Sequence, residues 1–155
     1  MSPDGALLTI ASNPPLGTSG QRTMGRVALA AKVLGYSEAR LANLFALPTY
    51  RTGDLSTVGA TADGWLQARP LLQEGLTSAG AVLLAYGKQA PSGSARQHFR
   101  DQVAWMDEQI ALAGLPVWWV GGEARHPSRW QRYSAKHHPD VPFTDALKLV
   151  LVPRT

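Results

Sequence analysis

His126, Pro127 and Ser128 put an imidazole, a rigid ring and a hydroxyl side by side, with Arg125 before them and Arg129 after. Imidazole can donate or accept a proton near neutrality, and a hydroxyl beside backbone N–H groups can hold a phosphate. The triplet follows Gly121-Gly122, which in turn follow the apolar run Val117-Trp118-Trp119-Val120. A buried strand ending in glycines delivers its loop to the carboxyl edge of a sheet, where open α/β proteins keep their functional crevice. Basic residues continue beyond the triplet. Arg125, Arg129, Arg132 and Lys136 have no acid among them, and Trp130 and Tyr133 lie between. Cations interleaved with aromatics suit contacts to phosphates and bases together; a solvated basic loop has the same composition.

Polar groups also stand at the ends of other apolar runs. Ser12-Asn13-Pro14-Pro15 follows the first run, and the prolines forbid helix at Asn13. Asn13 either faces the crevice or caps a turn. This loop has neither G-x-G-x-x-G nor a G-K-[ST] ending, which argues against dinucleotide and P-loop sites. Asn43 is an amide inside an otherwise apolar segment, and its donor and acceptor complement a nucleobase edge. Tying down a neighbouring loop is an equally common use. Tyr86, before Gly87-Lys88, can stack on a planar ligand or fill the core.

Other chemistries find little support. The chain has no cysteine, so disulfides, thiolate metal sites and thiol nucleophiles are excluded. His137, His138 and Asp140 lack a recognised ligand spacing, so neither a metal nor another cofactor is expected. No serine sits in a nucleophile elbow, and no close carboxylate pair suits ordinary glycosidase chemistry.

The elements that must position these groups alternate between strand and helix. Apolar runs predict strands at Ala6–Ala11, Arg40–Phe45, Ala81–Ala85 and Val117–Val120. Helical spacing joins Met24, Val27, Ala28, Ala31 and Leu34, with Gly35 as the C-terminal cap. Asp63 can cap a second helix carrying Trp65, Leu66, Leu72 and Leu76. A third places Phe99, Val103, Met106 and Ile110 on one face and stops at Gly114-Leu115-Pro116. The segment 143–152 fits either a terminal helix or an edge strand. The expected fold is a three-layer α/β/α domain over residues 1–155 with a central four-stranded, mainly parallel sheet.

With 155 residues, 45% of them hydrophobic and 17% charged, the chain has the composition of one globular domain. A net charge of +4 permits a polyanionic partner. Met1-Ser2-Pro3-Asp4-Gly5 carries no basic n-region, and no segment reaches the roughly 18 apolar residues of a membrane span. A soluble cytoplasmic protein is expected.

Asn13-Pro14, Asn43-Leu44-Phe45-Ala46-Leu47, Tyr86-Gly87 and Gly121-Gly122 with His126-Pro127 together resemble a bacterial and phage family known only as a domain of unknown function, DUF1643. Nearly the whole chain is covered, and Asn-Leu-Phe-Ala-Leu is the most distinctive part. The same points, in the same order, also resemble the uracil-DNA glycosylase superfamily. Its first motif is an Asp-Pro or Asn-Pro loop, its base-reading asparagine follows an apolar strand, and its last motif is a His-Pro-Ser loop. The stretch from Pro48-Thr49 through Gly53-Asp54-Leu55-Ser56 resembles its mismatch-specific branch. The chain departs from that pattern in two places. The first loop lacks the usual aromatic unless Leu16 or Tyr86 substitutes, and Arg129-Trp130 replaces the usual apolar wedge.

The resemblance implies a glycosylase-like fold and hydrolysis of the N-glycosidic bond of a damaged, mismatched or modified base in DNA. Asn13 would orient water, Asn43 with Pro14 and Tyr86 would hold the base, and His126 would donate to it. Arg125, Ser128, Arg129 and Arg132 would grip phosphates, with Trp130 filling the vacated stack. Two alternatives share the fold: a non-catalytic nucleic-acid or nucleotide-binding module, and a hydrolase of free nucleosides or nucleotides.

Overall fold

The computed structural model describes residues 5–17, 19–50 and 52–155. The N-terminal residues Met1 to Asp4, read above for a leader, lie outside the described residues, as do Thr18 and Arg51. Five strands form one sheet: β1 (Ala6–Ala11), β2 (Glu38–Asn43), β3 (Ala79–Ala85), β4 (Val117–Val120) and β5 (Leu151–Pro153). Their order is β2-β1-β3-β4-β5, with the first four parallel and β5 antiparallel to β4. The helices are α1 (Gln21–Leu34), α2 (Leu55–Val58), α3 (Asp63–Ser78), α4 (Ala95–Ala113), α5 (Trp130–His137) and α6 (Phe143–Val150).

Parallel strands covered on both faces read as continuous apolar runs, and all six residues of β1 are buried. Side chains still alternate between faces. Leu8, Ile10, Val82 and Leu84 pack with Trp65 and Leu72 of α3 and Met106 and Ile110 of α4. Leu7, Leu83 and Ala85 pack on the other face with Ala30 and Ala31 of α1, Trp130 of α5 and Leu147 of α6. The connection from β1 to β2 uses one face, while those from β2 to β3 and from β3 to β4 run the opposite way on the other. A single crossover handedness requires that division. Strand order therefore reverses between β1 and β3, which opens a crevice beyond their carboxyl ends.

Two expectations change. The sheet has a fifth strand, because 143–152 is both things its pattern allowed: helix α6 and then strand β5. The second strand lies at Glu38–Asn43 rather than Arg40–Phe45. As an edge strand it is only half-buried, so it need not be apolar. The strongest apolar pair, Leu44-Phe45, belongs to the bend that follows, although its N–H groups still bond to the carbonyls of Ala11 and Ser12. Phe45 meets the Trp65 ring edge-on at 4.7 Å.

That bend is fastened by Gln102 of α4, which is fully buried. Its amide N–H groups donate to Leu44 O (2.9 Å) and Trp65 O (2.7 Å), and its carbonyl accepts from Arg69 Nε (3.0 Å). Gln102→Leu keeps the volume and removes all three bonds. It should lower the unfolding free energy by about 1–3 kcal/mol in urea titration, the cost of stranding buried polar groups. A change below a few tenths would show that the amide is dispensable.

Candidate functional site

A cavity of about 710 Å³ opens at the carboxyl edge of the sheet, at the reversal of strand order. Ser12 enters it from the end of β1, and Tyr86 and Gly87 from the end of β3. Arg125, His126, Ser128 and Arg129 come from the loop after β4, and Arg132, Tyr133 and Lys136 from α5. Leu55 and Ser56 of α2 and the segment Lys88 to Ser92 close the other side, held together by Ser56 accepting from the Ser92 N–H at 3.0 Å.

Local sequence explains the His126 loop. A residue before proline is pushed to extended backbone, and His126 adopts φ −62° and ψ 143°. Proline then opens a 3-10 turn over Pro127–Arg129, its missing N–H costing nothing at that position. The turn brings the Ser128 N–H to His126 Nδ1 at 3.1 Å, and Ser128 Oγ lies 2.8 Å from the same nitrogen. Because Nδ1 accepts from the backbone, the neutral ring carries its proton on Nε2. Burial holds the imidazole pKa below its ordinary 6.5, and the Arg129 and Arg26 cations push in the same direction. His126 is a neutral hydrogen-bond donor at pH 7.

Aromatic rings line the floor. Phe99 meets Tyr86 at 5.8 Å and Trp65 at 6.2 Å, both edge-to-face, so the cavity wall continues into the core. Burial, with the Asp107 carboxylate nearby, pushes the Tyr86 phenol up to about 12 against the opposing pull of Arg154. The phenol stays protonated. Lys88, Arg129, Arg132 and Lys136 are exposed around the cavity, and no Asp or Glu is among its described lining residues.

Arg125 is largely committed to the protein itself. Its Nε donates to Val120 O at 3.1 Å, an Nη pairs with Glu123 at 3.1 Å, and the guanidinium stacks 4.0 Å from the Tyr133 ring centre. Glu123 also lies 3.6 Å from Lys88. Trp130 is corrected outright. It is fully buried and its indole N–H donates to Arg125 O at 3.0 Å, so it is a bolt under the loop and no wedge for a nucleic-acid stack.

Thus Tyr86, Arg125, His126, Ser128, Arg129 and Arg132 converge on one cavity. Asn13, Pro14 and Asn43 do not join them. Both ends of the Asn13 amide are used within its surroundings: Oδ1 accepts from Ser12 Oγ (2.8 Å), and Nδ2 donates to Thr49 Oγ1 (2.6 Å) and Pro14 O (3.3 Å). Asn43 and Pro14 line a separate hollow of about 340 Å³ beside the edge strand, with Arg40 and Leu71. Among the described residues no His, Asp or Glu cluster could hold a metal ion, and no helix is long and apolar enough to cross a membrane.

No family model, no curated protein and no solved structure matches the chain.

Phe99 and Lys88 are wall residues that motif reading did not single out, whereas Tyr133 and Lys136 belong to the basic, aromatic-interleaved stretch that it did. Helical spacing assigned Phe99 to the core, and it serves both. The signal for Lys136 was present, because positions 129, 132 and 136 share one helical face.

Two predictions follow from this geometry. Gly121 has φ +64°, and a Cβ there would lie 2.3 Å from the Tyr133 ring, whereas Gly122, at φ +81°, faces open space. Gly121→Ala should cost about 2–4 kcal/mol in denaturant unfolding and Gly122→Ala about 1–2, backbone strain being common to both and overpacking confined to the first. Equal costs would remove the Tyr133 contact as the cause. For His126, the unfolded chain takes up the proton before the folded one. Stability is therefore full above pH 6.5 and falls as pH drops through the folded-state value, a fall that His126→Gln flattens. Nitrogen-15 NMR should show the Nε2–H tautomer and a midpoint below 6.5; an Nδ1–H ring would contradict the bonding described.

Proposed function

We propose that this cavity binds a nucleobase together with the phosphate of its nucleotide in DNA, and that the protein is a glycosylase-like N-glycosidic hydrolase. The observation that carries the reading is His126. It is a neutral donor, fixed in one tautomer by Ser128, in a cavity with an aromatic floor and a cationic rim. Phe99 and Tyr86 suit the faces of a planar base, and Arg129, Arg132 and Lys136 suit phosphates. Of the motifs that resemble the uracil-DNA glycosylase superfamily, the His126-Pro127-Ser128 loop lies at this cavity, whereas Asn13 and Asn43 lie outside it.

In such a reaction the bond between the sugar and the base nitrogen breaks, and its electron pair leaves with the base. The sugar becomes oxocarbenium-like and water adds to it, releasing a proton to solvent. His126 Nε2–H would donate to a base oxygen as that charge develops. A preorganised neutral donor does so without first losing or gaining a proton. The base must leave the stack to reach the cavity.

A second reading, binding without cleavage, is favoured by a specific observation. No carboxylate is among the described lining residues, and the Asn13 amide is tied to Thr49, so water activation has no evident base. The test offers DNA carrying uracil, mismatched thymine, hypoxanthine or modified pyrimidines and reveals abasic sites by alkaline cleavage. At least one base should be released, with His126→Gln slowing release by about 10²–10³, as loss of one preorganised donor does. Binding that depends on His126 without release of any base supports the module. Absence of both release and binding removes the nucleic-acid reading altogether.

A further inference from the structure

We propose that the DNA this cavity serves is single-stranded, its backbone running along the cationic face of residues 129–136 with one base turned inward. The proposal rests on the nucleobase reading above and names the form of its substrate. Arg129, Arg132 and Lys136 follow one another at spacings of three and four residues, line the cavity and are exposed. Among the described residues none of them pairs with a carboxylate, whereas Lys88 and Arg125 share Glu123. Like charges at these spacings repel and weaken a helix, so a built ladder of them points to a polyanion.

Length then separates a strand from a lone nucleotide. Seven residues of helix rise about 10 Å. Three cations spread over that length can each meet a different phosphate of one strand, about three in all. A nucleoside monophosphate can engage only part of the ladder.

The rim separates one strand from two. Proteins that kink or open a duplex frequently insert an apolar side chain where the bases part. Among the described residues, none of the exposed large hydrophobic ones lines this cavity, Trp130 is fully buried, and the residue following Ser128 is a cation. Extruding a base from a duplex costs a few kcal/mol of unpairing and unstacking that a single strand avoids in large part.

Fluorescence anisotropy of a short labelled oligonucleotide, alone and annealed to its complement, tests this from 50 to 200 mM salt. The single strand should bind at least about tenfold more tightly than the duplex. Its affinity should fall about 20-fold across that range if three contacts each contribute a slope near −0.7. Arg129→Ala, Arg132→Ala and Lys136→Ala should each make the slope shallower by about 0.7, with circular dichroism confirming the fold. Duplex binding as tight as single-strand binding overturns the proposal, as does a slope unchanged in the triple variant. Failure of the nucleobase reading looks different. A sugar–phosphate strand lacking bases would then bind as tightly as the complete one, still through the ladder, and Phe99→Ala would change neither affinity.

Discussion

The approach of the Tyr133 ring to the backbone of Gly121 fixes where the loop after β4 stands. Only a residue without Cβ lets the ring come so close, and the positive φ there turns the chain sharply out of β4. Arg125 then stacks on the ring while its Nε donates back to the last carbonyl of β4. Five residues further on, Trp130 enters the core and donates to Arg125 O. The chain between these anchors has little freedom left, and His126 and Ser128 are carried on it. The loop is positioned by the packing and hydrogen bonds beneath it.

The same anchors tie the cavity to the sheet. The Gly87 N–H, at the end of β3, donates to Ala124 O in this loop at 2.7 Å. The Gly121 N–H donates to Val150 O at 2.8 Å, where α6 gives way to β5. The antiparallel fifth strand therefore has a function in the architecture. It closes the β4 edge of the sheet and braces the turn from which the histidine loop departs. Loss of packing in α6 would reach His126 through that single backbone bond and through Trp130.

Much of this was legible in the sequence, for reasons that differ by element. β1 matches its apolar run because an interior strand of a parallel sheet buries both faces, and β4, between β3 and β5, buries Val117 and Val120 with its tryptophans half-buried. Gly35 and Gly114 end α1 and α4 in left-handed conformation, the backbone state that glycine tolerates best. The edge strand was displaced because its hydrophobic signal belongs to the bend after it. The site was legible in its last motif and much less so in its first two. His-Pro-Ser encodes its own geometry within three residues, since proline, the extended backbone before it and the cap all act locally. What Asn13 and Asn43 contact is decided by Thr49 and by the side of an edge strand. Those are long-range facts that no local spacing contains, so identical residue types were open to a ligand role and to a fastening role. For Trp130 burial was the hidden variable: an aromatic between cations reads as a stacking residue until its helix turns it inward.

Charge and protonation in the cavity work on one another. The Arg129 cation lowers the pKa of His126, and burial does so more strongly. A phosphate seated on Arg129 would offset part of that cation and relieve part of the depression. Burial, the larger cause, would remain, and an occupied cavity is drier, which favours the neutral ring. A cationic rim and a neutral imidazole coexist here because burial is the larger cause lowering the pKa of the ring, with Arg129 and Arg26 acting in the same direction.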